Sequence, residues 1–174
     1  IEPMTLPNCV NVLPGNVQDV VTTSTGRVLV SYNGGLYISD DGETTCSYNN
    51  VGAANGIGGS TRMSLAVCSS DENVVYAFQG FSGNPATFQV LKSTDGGDNW
   101  GPLQPAPPTT VIDSTFDLMG SNPASYNQAI GVDPNDCDKI YVGAVQLYQV
   151  AGSWNSVATT FNLPGYYVHA DVHW

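Results

Sequence analysis

The chain has 174 residues, of which 41% are apolar, enough for one domain with a sizeable core but too few for a second full domain. Only 4 Lys and Arg oppose 15 Asp and Glu, a formal charge of −11, and the scattered Arg27, Arg62, Lys92 and Lys139 exclude the clustered cations that nucleic acid or an anionic membrane surface requires. No apolar run approaches the roughly 20 residues of a membrane span, and low charge with abundant Gly, Pro and Tyr is typical of a secreted, turn-rich β protein.

The cysteines leave the redox state open. Cys9, Cys46, Cys68 and Cys137 are widely spaced and form no C-x-x-C pair, so the spacing excludes a zinc ribbon. Two disulfides, with three connectivities, and four buried free thiols are both compatible with the sequence. The composition, more than the cysteines, predicts an extracellular or cell-surface location.

Short β-branched segments bounded by turn residues recur along the chain without helical periodicity, which predicts an all-β fold. Units at approximately 13–60, 61–125 and 126–165 share one plan: an apolar strand, a polar turn, a second apolar strand, and a third that leads into another turn. Self-similarity at roughly 50 residues with about four strands per unit is the pattern of β-propeller blades.

The turn after the third predicted strand is nearly the same string in the first two units. It reads SDDGETTC over residues 39–46 and STDGGDNW over residues 93–100, whereas the third unit keeps only Trp154. Short Ser and Asp side chains can accept hydrogen bonds from turn amides, Gly can take a positive φ, and Trp can cover the base of a hairpin. We therefore expect structural roles for Ser39, Asp41, Ser93, Asp95, Gly97 and Trp100.

Residues 93–100 resemble the Asp-box, or BNR repeat, Ser-x-Asp-x-Gly-x-Thr-Trp, of sialidase-like and sortilin-like β-propellers, with Asn99 in the Thr place. The earlier string is a weaker match, because Glu43 and Cys46 replace Gly and Trp. The resemblance implies a hairpin turn between the third and fourth strands of a blade, in a segment of a larger secreted bacterial protein. It covers about residues 19–174 and describes an architecture shared by enzymes and non-enzymes.

A proline-rich stretch, residues 101–127, replaces a short link between the second and third units and holds five of the eleven prolines. Loops of this length are usually functional or mobile. The stretch is either a decorated surface loop or a site that offers Phe116, Asp117 and Tyr126 near one propeller face.

The polar turn of the third unit contains oxygen donors. Asp133, Asn135 and Asp138 could hold Ca²⁺, although they lack the spacing of a known calcium loop. A solvated turn is the alternative.

The final stretch, residues 166–174, is predicted to be the inner strand of a further blade. Period-two alternation places His169, Asp171 and His173 on one face, with donors suited to Zn²⁺ or another divalent ion. The α-carbons of residues i and i+2 on a strand are about 7 Å apart, so three such side chains reach one metal ion only with strain. The alternative is that they form hydrogen bonds to neighbouring blades. The resemblance also covers this stretch, because such propellers often carry His-x-Asp-x-His in an inner strand.

Carboxylates are the candidate catalytic groups of the sequence. A sialidase-like enzyme would need three clustered arginines, and the chain has two, Arg27 and Arg62. Another propeller glycosidase would need two carboxylates facing across the channel, for which Asp171 and Asp19 are the candidates. No nucleophile motif or phosphate-binding glycine loop is present in the sequence.

The sequence thus predicts a β-propeller of about three four-stranded blades plus the first strand of a fourth, an incomplete ring and so a segment of a longer protein. The first functional hypothesis is an extracellular module that binds glycan or protein, not catalytic on its own and without a cofactor beyond a divalent cation. The alternatives are part of a glycoside hydrolase whose remaining catalytic residues lie outside this chain, and a subunit of a surface or filament assembly. Whether the protein is an enzyme is left open.

Overall fold

The computed structural model describes residues 15–40, 48–82, 87–107, 128–144 and 146–158. These residues form twelve β-strands and one 3₁₀ turn, Ala53–Asn55, and no α-helix occurs among them. No helix in the described ranges is long and apolar enough to cross a membrane.

The strands form three four-stranded antiparallel sheets, and in each sheet the strands pair in the order in which they occur in the chain. The first sheet contains β1 (Val17–Thr22), β2 (Val28–Tyr32), β3 (Gly35–Ser39) and β4 (Asn49–Asn50). The second contains β5 (Arg62–Val67), β6 (Val75–Phe81), β7 (Thr87–Ser93) and β8 (Gly101–Pro102). The third contains β9 (Ala129–Asp133), β10 (Asp136–Gly143), β11 (Leu147–Val150) and β12 (Trp154–Ala158). The predicted all-β, propeller-type fold is confirmed, and the three sheets are called blades 1, 2 and 3.

Blade 2 is buried on both faces because it lies between the other two. Along β6, Val75 and Ala77 pack toward blade 1, while Tyr76 and Phe78 pack toward blade 3. All four side chains are at most 1% exposed. Such a strand needs apolar residues at successive positions, which is why this segment reads as a continuous apolar run rather than an alternating one.

Two hydrophobic clusters fill the spaces between blades. The cluster between blades 1 and 2 is mainly aliphatic and comprises Leu29, Leu36, Ile38, Ile57, Met63, Leu65, Val75, Ala77 and Leu91. The cluster between blades 2 and 3 is larger and includes Tyr76, Phe78, Val90, Leu103, Ile130, Ile140, Val142, Tyr148 and Val150. The inner strands β1, β5 and β9 lie side by side, so each blade presents the same edge to the propeller axis.

This stacking gives the segment two distinct ends. One end carries the described residues of the turns between the first and second strands and between the third and fourth strands of each blade. The other end, called the link end, carries the described residues of the turns between second and third strands and of the links between blades. The strand expected over 166–174 lies outside the described residues.

Candidate functional site

Asp19, a candidate catalytic carboxylate, lies on β1 and joins two inner strands. Its Oδ2 accepts a hydrogen bond of 2.8 Å from the backbone amide of Leu65 on β5, and its Oδ1 accepts one of 2.8 Å from the amide of Val20. Both carboxylate oxygens therefore have backbone partners, one of them in the next blade. Its proposed counterpart, Asp171, is outside the described residues.

Further polar contacts join the inner strands. Gln18 donates to the carbonyl of Thr61 at 2.8 Å and accepts from the amide of Met63 at 3.1 Å. Ser31, which is fully buried on β2, donates to the Met63 carbonyl at 3.0 Å. Because these side chains bind backbone groups, they fix the position of blade 2 relative to blade 1 without depending on which side chains β5 carries.

The turn over residues 93–100 is held by its own side chains. Ser93 Oγ accepts from the amide of Gly97 at 2.8 Å and donates to Asp95 Oδ1 at 2.8 Å. Asp95 accepts from the amide and the side-chain amide of Asn99 at 2.9 and 2.8 Å. The hydrogen bonds from Asn99 and Ser93 stabilise the ionised form, and the pKa of the Asp95 carboxyl is lowered.

This turn also contacts blade 1. Gly97 has a φ of 99°, and a Cβ there would come within 2.6 Å of a Leu29 methyl. Trp100 donates from its indole to the Gly97 carbonyl at 2.6 Å and, from its backbone, to Asn55 Oδ1 at 3.2 Å. In the first string, Ser39 is buried at the end of β3, whereas Asp41 lies outside the described residues. Assignment of either string to the Asp-box family stays a prediction.

At the turn between β9 and β10, a candidate calcium loop, two carboxylates pair with lysines of the protein. Asp133 accepts from Lys139 Nζ at 2.9 Å and from the Asn135 amide at 3.0 Å. Asp138 forms an ion pair with Lys92 of blade 2. The hydrogen bond from the Asn135 amide and then the ammonium of Lys139 lower the pKa of Asp133. The calcium assignment remains a prediction.

A disulfide between Cys68 and Cys137 joins blades 2 and 3. Cys68 follows β5 directly, and Cys137 lies near the start of β10, 69 positions later in the sequence. The structure thus selects one pair from the alternatives that the sequence left open. Cys9 and Cys46 are outside the described residues.

Charge is segregated between the two ends. Of nine described carboxylates, all but Asp19 lie at the end with the first-to-second and third-to-fourth turns, which we call the acidic end. They are Asp40, Asp71, Glu72, Asp95, Asp98, Asp133, Asp136 and Asp138. At the link end, Arg62 is the single charged residue among those described, and the chain there carries hydroxyls, amides and glycines.

Several predicted site residues lie outside the described ranges: His169, Asp171 and His173 of the metal hypothesis, and Phe116, Asp117 and Tyr126 of the proline-rich stretch. In the part of the chain that the structure covers, no three His, Cys, Asp or Glu side chains are grouped closely enough to hold a metal ion.

The sequence-based hypotheses omitted the cross-blade residues Gln18, Ser31 and Glu72. Their partners are distant in sequence, so no local pattern identifies them. The charge segregation could be recognised from the sequence. The acidic residues named above fall in alternate turns of the repeat, while the described parts of the intervening turns and links contain no acidic residue.

Comparison with known proteins identifies the fold. No family model matches the chain, and no curated protein matches it. The chain is similar to the crystal structure of an ancestral GH74 enzyme, a glycoside hydrolase with a propeller-type fold, with a TM-score of 0.61 and 19% sequence identity. The match covers 87% of this chain and 19% of that enzyme, so the chain corresponds to about a fifth of its length. At this identity the likeness establishes a propeller-type fold and leaves the activity open.

Proposed function

We propose that this chain is an extracellular β-propeller segment that binds glycan through its link end and has no complete catalytic centre of its own. The proposal is carried by the distribution of charge. Among the described residues, eight carboxylates lie at the acidic end, whereas the link end carries one charged residue, Arg62, and otherwise presents uncharged hydrogen-bonding groups. Sugar hydroxyls both donate and accept hydrogen bonds, so hydroxyl and amide side chains suit them.

The link end holds such groups in fixed positions. Thr61 Oγ1 lies 2.7 Å from Ser82 Oγ and accepts from the Ser82 amide at 2.8 Å. Ser60 Oγ donates to the carbonyl of Gly34 at 3.2 Å, which joins the inter-blade link to the β2–β3 turn. Asn33 is exposed in that turn with a φ of 47°. Preorganised groups lose little entropy on binding, which favours recognition of a weakly interacting ligand.

The extracellular location is supported by the Cys68–Cys137 disulfide, because such bonds persist mainly in oxidising compartments. The structural likeness to a glycoside hydrolase supports a carbohydrate ligand rather than a protein one.

The test measures retention of the chain in affinity gels that contain neutral β-glucan, xylan or mannan. The link-end variant combines Asn33→Gly, which keeps the positive φ, with Ser82→Ala. The control combines Thr25→Ala with Ser69→Ala, two exposed hydroxyls at the acidic end. Loss of two hydrogen bonds of about 1 kcal/mol each should weaken binding roughly tenfold or more in the first variant only. Failure of the chain to bind any of the three polymers, or equal weakening in both variants, would refute the proposal.

A second candidate is part of a glycoside hydrolase whose other catalytic residues lie outside this chain, and the structural likeness to the GH74 enzyme favours it. It requires Asp171, paired with Asp19, to act as acid, base or nucleophile. The contacts of Asp19 support a structural role, because its oxygens accept from the amides of Val20 and Leu65. If this candidate is right, hydrolysis measured as release of reducing sugar falls by several orders of magnitude in Asp171→Asn. Absence of hydrolysis in the parent chain, or unchanged hydrolysis in the variant, contradicts it.

A further inference from the structure

Two cavities in the described part of the chain lie at the acidic end, one at each interface between blades. The cavity between blades 1 and 2 has a volume of about 570 Å³. Its lining is polar throughout, and its charged groups have partners: Glu72 accepts from the amide and hydroxyl of Ser24, and Arg27 pairs with Asp98. No apolar side chain lines it, in contrast to most small-molecule sites.

The cavity between blades 2 and 3 is different. Its volume is about 360 Å³, close to the lower limit for small-molecule sites. Its apolar lining is provided by Tyr76, Leu103 and Val150, each at most 6% exposed. Three residues with polar side chains, Lys92, Asp138 and Gln104, complete the lining together with Gly152.

We propose that this cavity binds a neutral sugar unit, with its C–H face on the apolar wall and its hydroxyls on the three polar groups. Lys92 supplies donors, Asp138 supplies acceptors and Gln104 supplies both, so together they match hydroxyls, which donate and accept. The site lies at the acidic end and does not rest on the proposed glycan-binding role of the link end.

Other ligand classes fit the cavity less well. A wholly apolar ligand would remove water from the Lys92–Asp138 ion pair without replacing its hydrogen bonds. An anionic ligand would meet Asp138 and a chain with a formal charge of −11. A neutral polyol with an apolar face avoids both costs.

Two residues of the lining, Tyr76 and Lys92, are held in place before binding. Tyr76 donates its hydroxyl hydrogen to the Cys137 carbonyl at 2.6 Å, and burial raises the pKa of that hydroxyl. Burial of the Lys92 ammonium opposes its charge, but hydrogen bonding to Asp138 and attraction from Tyr76 outweigh it, so the pKa of Lys92 is raised. Lys92 lies 5.7 Å from the centre of the Tyr76 ring, which further restrains the ammonium.

The chain contains a matched control for Lys92. Lys139 also pairs with a carboxylate, Asp133, and also lies over a tyrosine ring, that of Tyr141, at 5.8 Å. The two lysine side chains are similarly exposed, 27% for Lys92 and 30% for Lys139, but Lys139 does not line the cavity. Lys92→Met and Lys139→Met therefore each remove a carboxylate pair and a tyrosine-ring contact of a similarly exposed lysine, and only the first changes the proposed site; the partner carboxylate is more exposed for Lys92 (81%) than for Lys139 (21%).

The experiment titrates ¹⁵N-labelled 174-residue protein with glucose, galactose, mannose, xylose and cellobiose, and with the anion glucuronate for comparison, followed by NMR. We expect saturable shifts of the Gly152 amide and the Gln104 side-chain amide, because both residues line the cavity. Lys92→Met should weaken the affinity about tenfold, and Lys139→Met should leave it within about twofold of the parent. Gln104→Ala, an exposed position, should weaken it at least about threefold and provides the test if Lys92→Met does not fold.

Three results would overturn the proposal. The first is that no sugar of the panel shifts these signals at its solubility limit. The second is that both lysine variants, or neither, lose affinity, or that Gln104→Ala retains it where Lys92→Met does not fold. The third is that glucuronate binds more tightly than glucose, which would replace the neutral class with an anionic one. Loss of polysaccharide binding in the link-end variant leaves these titrations unchanged, so the two proposals fail separately.

Discussion

The interface between blades 1 and 2 and the interface between blades 2 and 3 perform the same task with different chemistry. The first has an aliphatic core, flanked by side chains that bind backbone groups of the next blade, such as Asp19 on the amide of Leu65. The second has an aromatic cluster of Phe78, Phe88, Tyr148 and Trp154, together with a covalent bond. Polar contacts to the backbone define position, whereas the disulfide limits how far the blades can separate.

The two interfaces between blades also differ at the acidic end. At the first interface, Glu72 accepts three hydrogen bonds from Ser24, and the Arg27 guanidinium lies between Asp40 and Asp98. These groups are mostly exposed, so water and salt weaken their contribution. At the second interface, the Cys68–Cys137 bond is independent of ionic strength. Blade 1 should therefore separate from blade 2 more readily at high salt than blade 3 does.

Removal of the disulfide should have the largest effect. Replacing Cys68 and Cys137 with Ala frees a loop of about 70 residues and should lower the free energy of unfolding by about 4 kcal/mol. Glu72→Ala at the other interface should lower it by about 1 kcal/mol, because its partners are exposed. Urea unfolding followed by tryptophan fluorescence measures both. Equal losses would show that the disulfide contributes no more than the polar contacts do.

A substitution at Gly97 probes the hydrophobic core between blades 1 and 2. Gly97→Ala forces a side chain into a φ of 99° and brings its Cβ within 2.6 Å of Leu29, so we expect a loss of about 2–4 kcal/mol. Gly152 is the control in blade 3, because it has a φ of 69° but no atom within 4 Å of an added Cβ. Gly152→Ala should cost about 1 kcal/mol, from backbone strain alone. Similar losses measured by urea unfolding would contradict tight packing at Gly97.

The fold could be predicted from the sequence because its determinants are local. Short apolar segments bounded by turn residues define strands such as β6 and hairpins such as residues 93–100 without knowledge of distant contacts. The contacts between blades could not be predicted in this way. Asp19 and Leu65 are 46 residues apart, and four cysteines allow three pairings, so only the assembled blades identify which groups meet.

The smallest expected effect concerns acid stability of the turn that blade 2 presents to blade 1. Because hydrogen bonds from Asn99 lower the pKa of Asp95 in the folded state, the folded protein binds this proton less readily than the unfolded chain does. The resulting stabilisation is complete above the unfolded pKa of about 4 and is lost as the pH falls through the lower folded value. Asp95→Asn should therefore show a smaller decrease in urea midpoint between about pH 6 and pH 3 than the parent. An equal decrease in both proteins would exclude Asp95 as a source of acid sensitivity and would leave the turn dependent on Ser93 and Gly97.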